Sequence, residues 1–251
     1  MECCGKWLEK VVTSRVLSDI NAHHLLPQNQ FGSRNEHCAV DAALTLVHTA
    51  QQGVRAGSPV STLLFDIQGF FDHIRRDRAV HFFRLLGFPS QLCDWLLSFL
   101  LDRTVVISFN DFTGEARTLS DGSPQGSPLS PILSTIYTFP LLCLAESWNF
   151  CSLQLYVDDG SITASGPTFR SSTHTAAQYY EVVSDWLLCC GLTTDPDKLE
   201  FISFRRPGRL PVALGAPFSH LGVCDMVHGT LSVPCFQTVR YLGVYISTKL
   251  L

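Results

Sequence analysis

The chain has 251 residues, of which 46% are hydrophobic and 16% are charged, a composition that excludes a disordered protein and predicts an ordered globular one. No apolar stretch reaches roughly 18 uninterrupted residues, and the amino terminus lacks the pattern of a secretion signal, so the sequence predicts an intracellular protein without membrane contact. The net charge of -4 counts against nucleic-acid binding, because neutralising phosphates requires Lys and Arg.

Hydrophobic spacing predicts helices in the first half of the chain, with one buried strand between them. The strand covers 60–67, is rich in β-branched residues and follows a turn marked by Gly53, Gly57 and Pro59. The predicted helices cover 7–21, 39–50, 77–86 and 91–101. Two strands, 104–109 and 115–119, are predicted on either side of a turn at Asn110 and Asp111.

The second half of the chain alternates hairpin strands with long helices. A loop dense in Gly, Ser and Pro, 121–128, precedes a long apolar helix over 129–148. A hairpin of strands 153–157 and 161–164 has Asp158, Asp159 and Gly160 at its tip, and a helix over 169–190 follows it. Further strands are predicted at 200–204, 210–214 and within 239–246. This mixed order predicts an α+β fold.

Three aspartates stand where apolar strands end. Asp66 is at the end of the predicted buried strand, and Asp158 and Asp159 are at the hairpin tip. Phosphoryl transfer to a hydroxyl is assisted by two divalent ions roughly 3.5–4 Å apart, and Mg²⁺ prefers a few carboxylates plus substrate phosphates. Taken singly, the Asp158-Asp159 pair is better explained as an ordinary Asp-Gly hairpin turn. Asp66 taken singly is equally well explained as a strand-end acid that caps the next segment. Together with the Gln125-Gly126 loop between them, the three aspartates favour a metal site.

Seven segments carry a more specific signal. They are QNQFGSRNEHCAVDAAL (28–44), FDIQGFFD (65–72), FLLDRTVVISFN (99–110), SPQGSPLSPIL (123–133), YVDD (156–159), GLTTDPDKLEF (191–201) and YLGVYIS (241–247). In this order they resemble the fingers motif, motif A, the segment between motifs A and B, and motifs B, C, D and E of reverse transcriptases from non-LTR (LINE-type) retrotransposons. The resemblance covers nearly the whole chain.

The resemblance implies a right-hand polymerase of fingers and palm, with an antiparallel palm sheet packed on helices and the thumb absent. Residues 1–59 would be partial fingers. Residues 60–205 would be the palm, with a connecting segment inserted at about 77–120. Residues 206–251 would hold the motif E hairpin and the start of the thumb. The implied activity is RNA-directed DNA synthesis on an RNA template and a DNA primer with dNTPs. Endonuclease and thumb regions of a longer polyprotein would lie outside this sequence.

The resemblance also assigns roles to the carboxylates and to two nearby segments. Asp66, Asp158 and Asp159 would bind two Mg²⁺ ions, with Mn²⁺ as an alternative metal. Phe71 would be a steric gate that crowds a ribose 2′-OH, although a Phe at this position is also a natural core residue. Gln125 and Gly126 would lie by the incoming nucleotide and the template, where the alternative is a simple Gly/Pro loop.

Three further assignments concern the fingers, motif D and motif E. Lys198 would protonate the pyrophosphate leaving group as a general acid, and a surface lysine is an equally good interpretation. Arg34 would reach the triphosphate or the template. Tyr241, Leu242 and Gly243 would form the primer grip. Against the polymerase, the short length also suits a catalytically inactive retrotransposon-derived fragment, or a scaffold that keeps the palm fold.

Overall fold

The computed structural model describes residues 3–34, 37–204, 217–219 and 232–248. The helices are α1 (Cys3–Ala22), α2 (Ala39–Arg55), α3 (Arg76–Leu85), α4 (Ser90–Leu100), α5 (Ser130–Ala145) and α6 (Phe169–Cys189). The strands are β1 (Gln30–Phe31), β2 (Val60–Asp66), β3 (Arg103–Val105), β4 (Ser108–Phe109), β5 (Phe112–Thr113), β6 (Arg117–Leu119), β7 (Cys151–Tyr156), β8 (Asp159–Ser165), β9 (Glu200–Phe204), β10 (Pro217–Ser219), β11 (Ser232–Phe236), β12 (Thr238–Tyr241) and β13 (Val244–Ser247).

Two compact units divide the chain, and their segments interleave along the sequence. The first unit contains residues 1–25, 69–138 and 190–192, and the second contains residues 26–68, 139–189 and 193–251. The sequence prediction instead divides the chain at 59 and 205 into three consecutive segments, and this functional division stays a prediction. The α+β class is confirmed by the mixture of helices and hairpin strands.

A seven-stranded sheet organises the second unit, in the order β1-β7-β8-β2-β9-β11-β10. The central strands β7, β8, β2 and β9 are antiparallel, as predicted. Toward the edges the sheet becomes mixed, because β1 pairs with β7, and β11 with β9, in parallel. Short edge strands escaped the sequence prediction because two or three residues carry too little periodicity. The predicted strand 210–214 lies outside the described residues.

Each face of the sheet is covered by a helix. Leu64 and Ile202 belong to a buried cluster with α2 residues such as Leu46. Ser61, whose side chain points to the opposite face because strand side chains alternate, hydrogen-bonds Ser172 of α6 over 2.7 Å. The strand β2 is therefore buried on both faces, and its two polar side chains, Ser61 and Thr62, are buried with hydrogen-bond partners.

The turn predicted at Gly53 is wrong, because Gly53 lies inside helix α2. The helix continues through Gly53 to Arg55, and the turn begins after it. A Cβ atom at Gly53 would lie 2.5 Å from Val60 Cγ2 on β2. The glycine thus lets the helix pack closely on the sheet, a tertiary requirement that looks like a turn signal when only the sequence is read.

The first unit contains α1, α3, α4, the amino-terminal part of α5 and two short hairpins. The predicted strand 104–109 is in fact two strands, β3 and β4, which pair separately with β6 and β5. Tyr137 of α5 is fully buried beside Phe70 and Phe82. Its hydroxyl accepts from the Arg75 backbone N–H and donates to the Cys190 carbonyl over 2.6 Å, which ties three segments together.

The predicted apolar helix over 129–148 is confirmed but shorter, since α5 ends at Ala145 and contains Pro140. Within the described parts of the chain, no helix is both long and apolar enough to cross a membrane.

Candidate active site

The three aspartates come together at one end of the central strands of the second unit. Asp66 at the end of β2 pairs directly with Asp159 at the start of β8. Asp158 lies in the turn just before β8, and its carbonyl accepts a 2.9 Å hydrogen bond from the Ile67 backbone N–H. The backbone ladder therefore fixes Asp66 beside the hairpin, as the sequence predicts from strands in one sheet.

The hairpin turn is shifted from its predicted position. Tyr156 pairs with Asp159, so the two turn residues are Val157 and Asp158, and Gly160 belongs to the strand. Val157 has φ of 59°, which is unusual for a β-branched residue. The backbone of Gly32 packs against it, since a Cβ there would lie 3.0 Å from Val157 Cγ2. Packing holds the carboxylate-bearing turn in a conformation that its sequence does not favour.

A second close contact fixes the strand that carries Asp159. Gly160 pairs with Phe65 across β8 and β2. A Cβ at Gly160 would lie 2.1 Å from Phe65 Cζ, so the aromatic ring covers the glycine. The same ring contacts Tyr180 of α6, with 6.2 Å between centroids. The residue after Asp159 therefore has to be small, and it is locked beneath a buried ring.

Electrostatic strain is concentrated on the hairpin carboxylates. Burial raises the pKa of Asp159 to about 6, and the neighbouring charges of Asp158 and Asp66 add to the rise. Burial also raises the pKa of Asp158, and Asp66 again contributes. Lys198 lowers both pKa values without cancelling the increase. The site thus holds more negative charge than its own cation balances, which is typical of a functional site.

Lys198 provides that cation from a loop distant in sequence. Its Nζ donates a 2.9 Å hydrogen bond to Asp66 Oδ2 and lies 3.9 Å from Asp195 Oδ2. The Asp195 backbone N–H bonds the Asp66 carbonyl over 2.9 Å, and a 3-10 turn over Pro196–Lys198 follows. The hydrogen bond and charge of Asp66 raise the pKa of Lys198. This lysine is 58% exposed but is held against the predicted site.

A cavity of about 310 Å³ opens over these groups. Its polar lining includes Asp66, Asp159, Lys198, Glu200, Arg240 and Tyr241. Lys198 and Tyr241 were predicted from the sequence, whereas Glu200 and Arg240 were not. The Arg240 backbone N–H donates to Glu200 Oε2 over 3.0 Å, an interaction between residues forty positions apart for which the sequence carries no signal.

The three carboxylates of this site are oxygen ligands of the type that a hard divalent cation prefers. Carboxylates are the preferred protein ligands of Mg²⁺, which typically takes one or two of them and completes its shell with water and phosphate oxygens. The raised pKa values of Asp158 and Asp159 show that added positive charge would relieve repulsion there. Within the described residues, no three His, Cys, Asp or Glu side chains are arranged so that they could hold one ion. Asp66, Asp158 and Asp159 thus fit by ligand type, with phosphate oxygens needed to complete the shell.

Tyr241, Leu242 and Gly243 occupy a tight hairpin. Tyr241 ends β12, and it pairs with Val244 at the start of β13. Leu242 and Gly243 are the turn, with φ of 50° and 81°, as a type I′ turn requires. The Tyr241 ring is 3% exposed within the α2 core cluster, and it also lines the cavity of Asp66. Its predicted primer contact stays a prediction.

Three further predicted residues lie in the first unit. Phe71, Gln125 and Gly126 line one cavity of about 660 Å³. Gly126 has φ of 82° with open space where a Cβ would be, and Gln125 Nε2 is 3.5 Å from Asp72 Oδ1. The structure thus brings together the predicted steric gate and the predicted nucleotide loop. Their roles toward a nucleotide stay predictions.

Arg34 lies in the second unit and is engaged with its own backbone. Its Nη1 donates to the carbonyls of Pro27 over 2.7 Å and Gln30 over 3.4 Å. Burial lowers the pKa of the guanidinium from its ordinary value. The guanidinium therefore shapes the turn before β1, and its predicted contact with a triphosphate or template stays a prediction.

Comparison with known proteins gives a consistent result. The family described as "Reverse transcriptase (RNA-dependent DNA polymerase)" matches residues 1–246. The RNA-directed DNA polymerase from mobile element jockey of Drosophila melanogaster is 24% identical over 98% of this chain, and the probable RNA-directed DNA polymerase from transposon BS of the same species is also 24% identical. The chain spans 26% of the length of each of these relatives.

Solved structures share the fold. Telomerase of Candida albicans in complex with an RNA fragment superposes with a TM-score of 0.62, at 12% identity over 96% of this chain and 37% of the other. Apo telomerase of Candida tropicalis, truncated from its C-terminal domain, gives 0.60, at 13% identity over 96% of this chain and 43% of the other. These similarities confirm the predicted right-hand polymerase fold.

Proposed function

We propose, from the premise that this chain belongs to the reverse transcriptase family, that it carries the polymerase site of an RNA-directed DNA polymerase of the non-LTR type. Its reaction would add a dNMP to a primer 3′-OH on an RNA template, with release of pyrophosphate. The observation that supports this most directly is the pairing of Asp66 with Asp159, next to Asp158, at the end of the central strands.

The carboxylates would hold two Mg²⁺ ions, with Mn²⁺ as the alternative. When bound, such ions stabilise the attacking and leaving oxygens of an in-line phosphoryl transfer. Asp158 and Asp159 are fixed by the hairpin ladder and carry raised pKa values, so they accept a cation at a rigid position. Asp66 is fixed by the neighbouring strand, and its side chain is 17% exposed.

Lys198 is the proposed proton donor. Its ammonium is held 2.9 Å from Asp66 Oδ2, and the hydrogen bond and charge of Asp66 raise its pKa further above the ordinary lysine value. The group is therefore protonated at neutral pH, as lysines ordinarily are. An ammonium beside the carboxylates can give a proton to a pyrophosphate oxygen as the leaving group departs. Phe71 would exclude a ribose 2′-OH, and Gln125 and Gly126 would contact the nucleotide or template, in the unit where they share a cavity.

A primer-extension assay tests the proposal. Purified protein receives an RNA template, a DNA primer, dNTPs and Mg²⁺. The variant Asp158→Asn should lower the extension rate at least about 100-fold, since it removes a carboxylate that would hold the divalent metal, and with the metal the electrostatic stabilisation of the charged transition state. The matched control is Asp111→Asn, the same change at an exposed turn of the first unit, and it should extend primers at the wild-type rate.

Two outcomes would count against the proposal. Absence of extension at high protein concentration would refute polymerase activity in this chain. Equal extension by wild type and Asp158→Asn would favour the scaffold that the sequence left open. The sugar preference has its own test: Phe71→Ala should increase incorporation of rNTPs relative to dNTPs, and an unchanged ratio would remove Phe71 from the gate.

A further inference from the structure

The cavity that contains Phe71, Gln125 and Gly126 has a second wall, which the sequence motifs did not point to. Lys6 and Lys10 of α1 line the same cavity of about 660 Å³. They are four residues apart, so their side chains leave the same face of the helix. Both lysines are exposed. We call this cavity the lysine cleft, and it lies entirely within the first unit.

A buried hydrogen bond fixes α1 against the motif B loop. Glu9 is 3% exposed and Ser127 is 4% exposed, and the Ser127 hydroxyl donates to Glu9 Oε2. The same hydroxyl accepts from the Leu129 backbone N–H over 3.1 Å. A buried carboxylate is rare unless it is paired in this way. The contact therefore sets the distance between the helix bearing the lysines and the loop bearing Gln125.

The chemistry of the cleft is that of a site for a phosphate-bearing ligand. Its lining residues, all of them described, include two ammonium groups and no carboxylate. The half-buried Phe71 ring and the exposed Gln125 amide stand on the loop side. Gly126 leaves open space instead of a side chain. An aromatic ring and an amide recognise a base or a sugar, whereas two lysines neutralise phosphates.

We propose that the lysine cleft binds the phosphate groups of a nucleotide unit through Lys6 and Lys10, with Phe71 and Gln125 contacting the attached nucleoside. The inference rests on the proposed function and extends it, because it adds two contact residues from α1. The phosphates have two sources, a polynucleotide strand or a free dNTP, and the test separates them.

The first arm measures RNA binding by fluorescence anisotropy without dNTPs, over a range of salt concentrations. The variant pair Lys6→Gln with Lys10→Gln keeps the length and polarity of the side chains but removes both charges. If the cleft holds strand phosphates, the slope of log K against log salt should fall in magnitude by about 0.7 per lysine, or about 1.4 for both. At 0.1 M salt this corresponds to roughly 25-fold weaker binding.

Two controls frame this measurement. Arg15→Gln removes one charge from an exposed position of the same helix that does not line the cleft, and it should leave the slope unchanged. Lys6→Arg with Lys10→Arg keeps both charges and should retain the wild-type slope. Thermal melting checks that each protein is folded. If the double variant unfolds, the single variants carry the test, each with about 0.7 of slope change.

The second arm titrates dATP in a calorimeter. Weaker dATP binding by the double Gln variant, with an unchanged RNA slope, would assign the cleft to the free nucleotide. A double variant that binds both RNA and dATP as the wild type does would overturn the inference. A wild type that shows the lysine-dependent slope but extends no primer would contradict the polymerase and leave the cleft standing. Normal primer extension, with no effect of the lysine substitutions on RNA or dATP binding, would support the polymerase and overturn the lysine cleft.

Discussion

Replacing Gly160 by Ala tests whether the contact with Phe65 fixes the candidate site. The new Cβ would lie 2.1 Å from Phe65 Cζ, whereas carbon atoms in contact are about 3.5–4.0 Å apart. The ring would therefore have to move by at least about 1.4 Å. It has little room, because Phe65 is 2% exposed and contacts Tyr180. The substitution is small in volume but falls where the core cannot yield.

The expected magnitude combines two opposing effects. Overpacking a core typically destabilises it by about 1–3 kcal/mol. Exchanging Gly for Ala in regular structure returns about 0.5–1 kcal/mol, because Ala loses less backbone entropy. With the overpacking at the upper end of its range, we expect Gly160→Ala to lower the free energy of unfolding by about 2 kcal/mol. For a chain of this length that is a loss of roughly 4–8 °C in melting temperature.

Urea unfolding measures the effect, and the chain offers a matched control. Gly5→Ala is the same change in α1, where nothing lies within 4 Å of the new Cβ, and it should stabilise the protein by about 0.5–1 kcal/mol. The double variant Phe65→Leu with Gly160→Ala should be more stable than the sum of the two single changes predicts. Additive effects, or a stabilised Gly160→Ala, would refute the steric argument.

Two further changes test the packing of the sheet and the charge of the site. Gly53→Ala should favour the helix but crowd Val60, so we expect the free energy of unfolding to fall by about 1 kcal/mol. In urea unfolding, this loss should disappear when Gly53→Ala is introduced into a Val60→Ala protein and compared with Val60→Ala alone. Asp159→Asn should raise stability at pH 7 without divalent metal by about 1 kcal/mol after allowance for solvent screening, because the charged form is disfavoured in the folded state. The folded pKa of about 6 exceeds the unfolded value of 3.8, so wild-type stability falls as pH rises from about 4 to about 6, and the advantage of the variant should vanish below that window. If Asp159→Asn stabilises the protein equally at pH 4 and pH 7, the raised pKa of Asp159 is not the cause. If Gly53→Ala stabilises the protein, the steric argument at Val60 is refuted.

The sequence alone was enough to locate the candidate site. Asp66 at the end of an apolar run, and Asp158-Asp159 between two strands, follow from periodicity. Both features are local, since a strand buried on both faces is rich in apolar residues, and hairpin strands carry their own turn between them. The order of the motifs then pointed to the reverse transcriptase family, which the comparisons confirm.

Only the tertiary structure determined how these residues meet. The pairing of Asp66 with Asp159 depends on strand register, which local sequence does not encode for two residues so far apart in the chain. The contact of Lys198 with Asp66, and the placement of Lys6 and Lys10 beside the Gln125 loop, are likewise non-local. Short-range periodicity reports which face of an element is buried, but the partner on that face is selected by packing the whole chain. The three acids and Lys198 were therefore visible in the sequence, whereas the ion pair between Lys198 and Asp66 appeared only once the chain was folded.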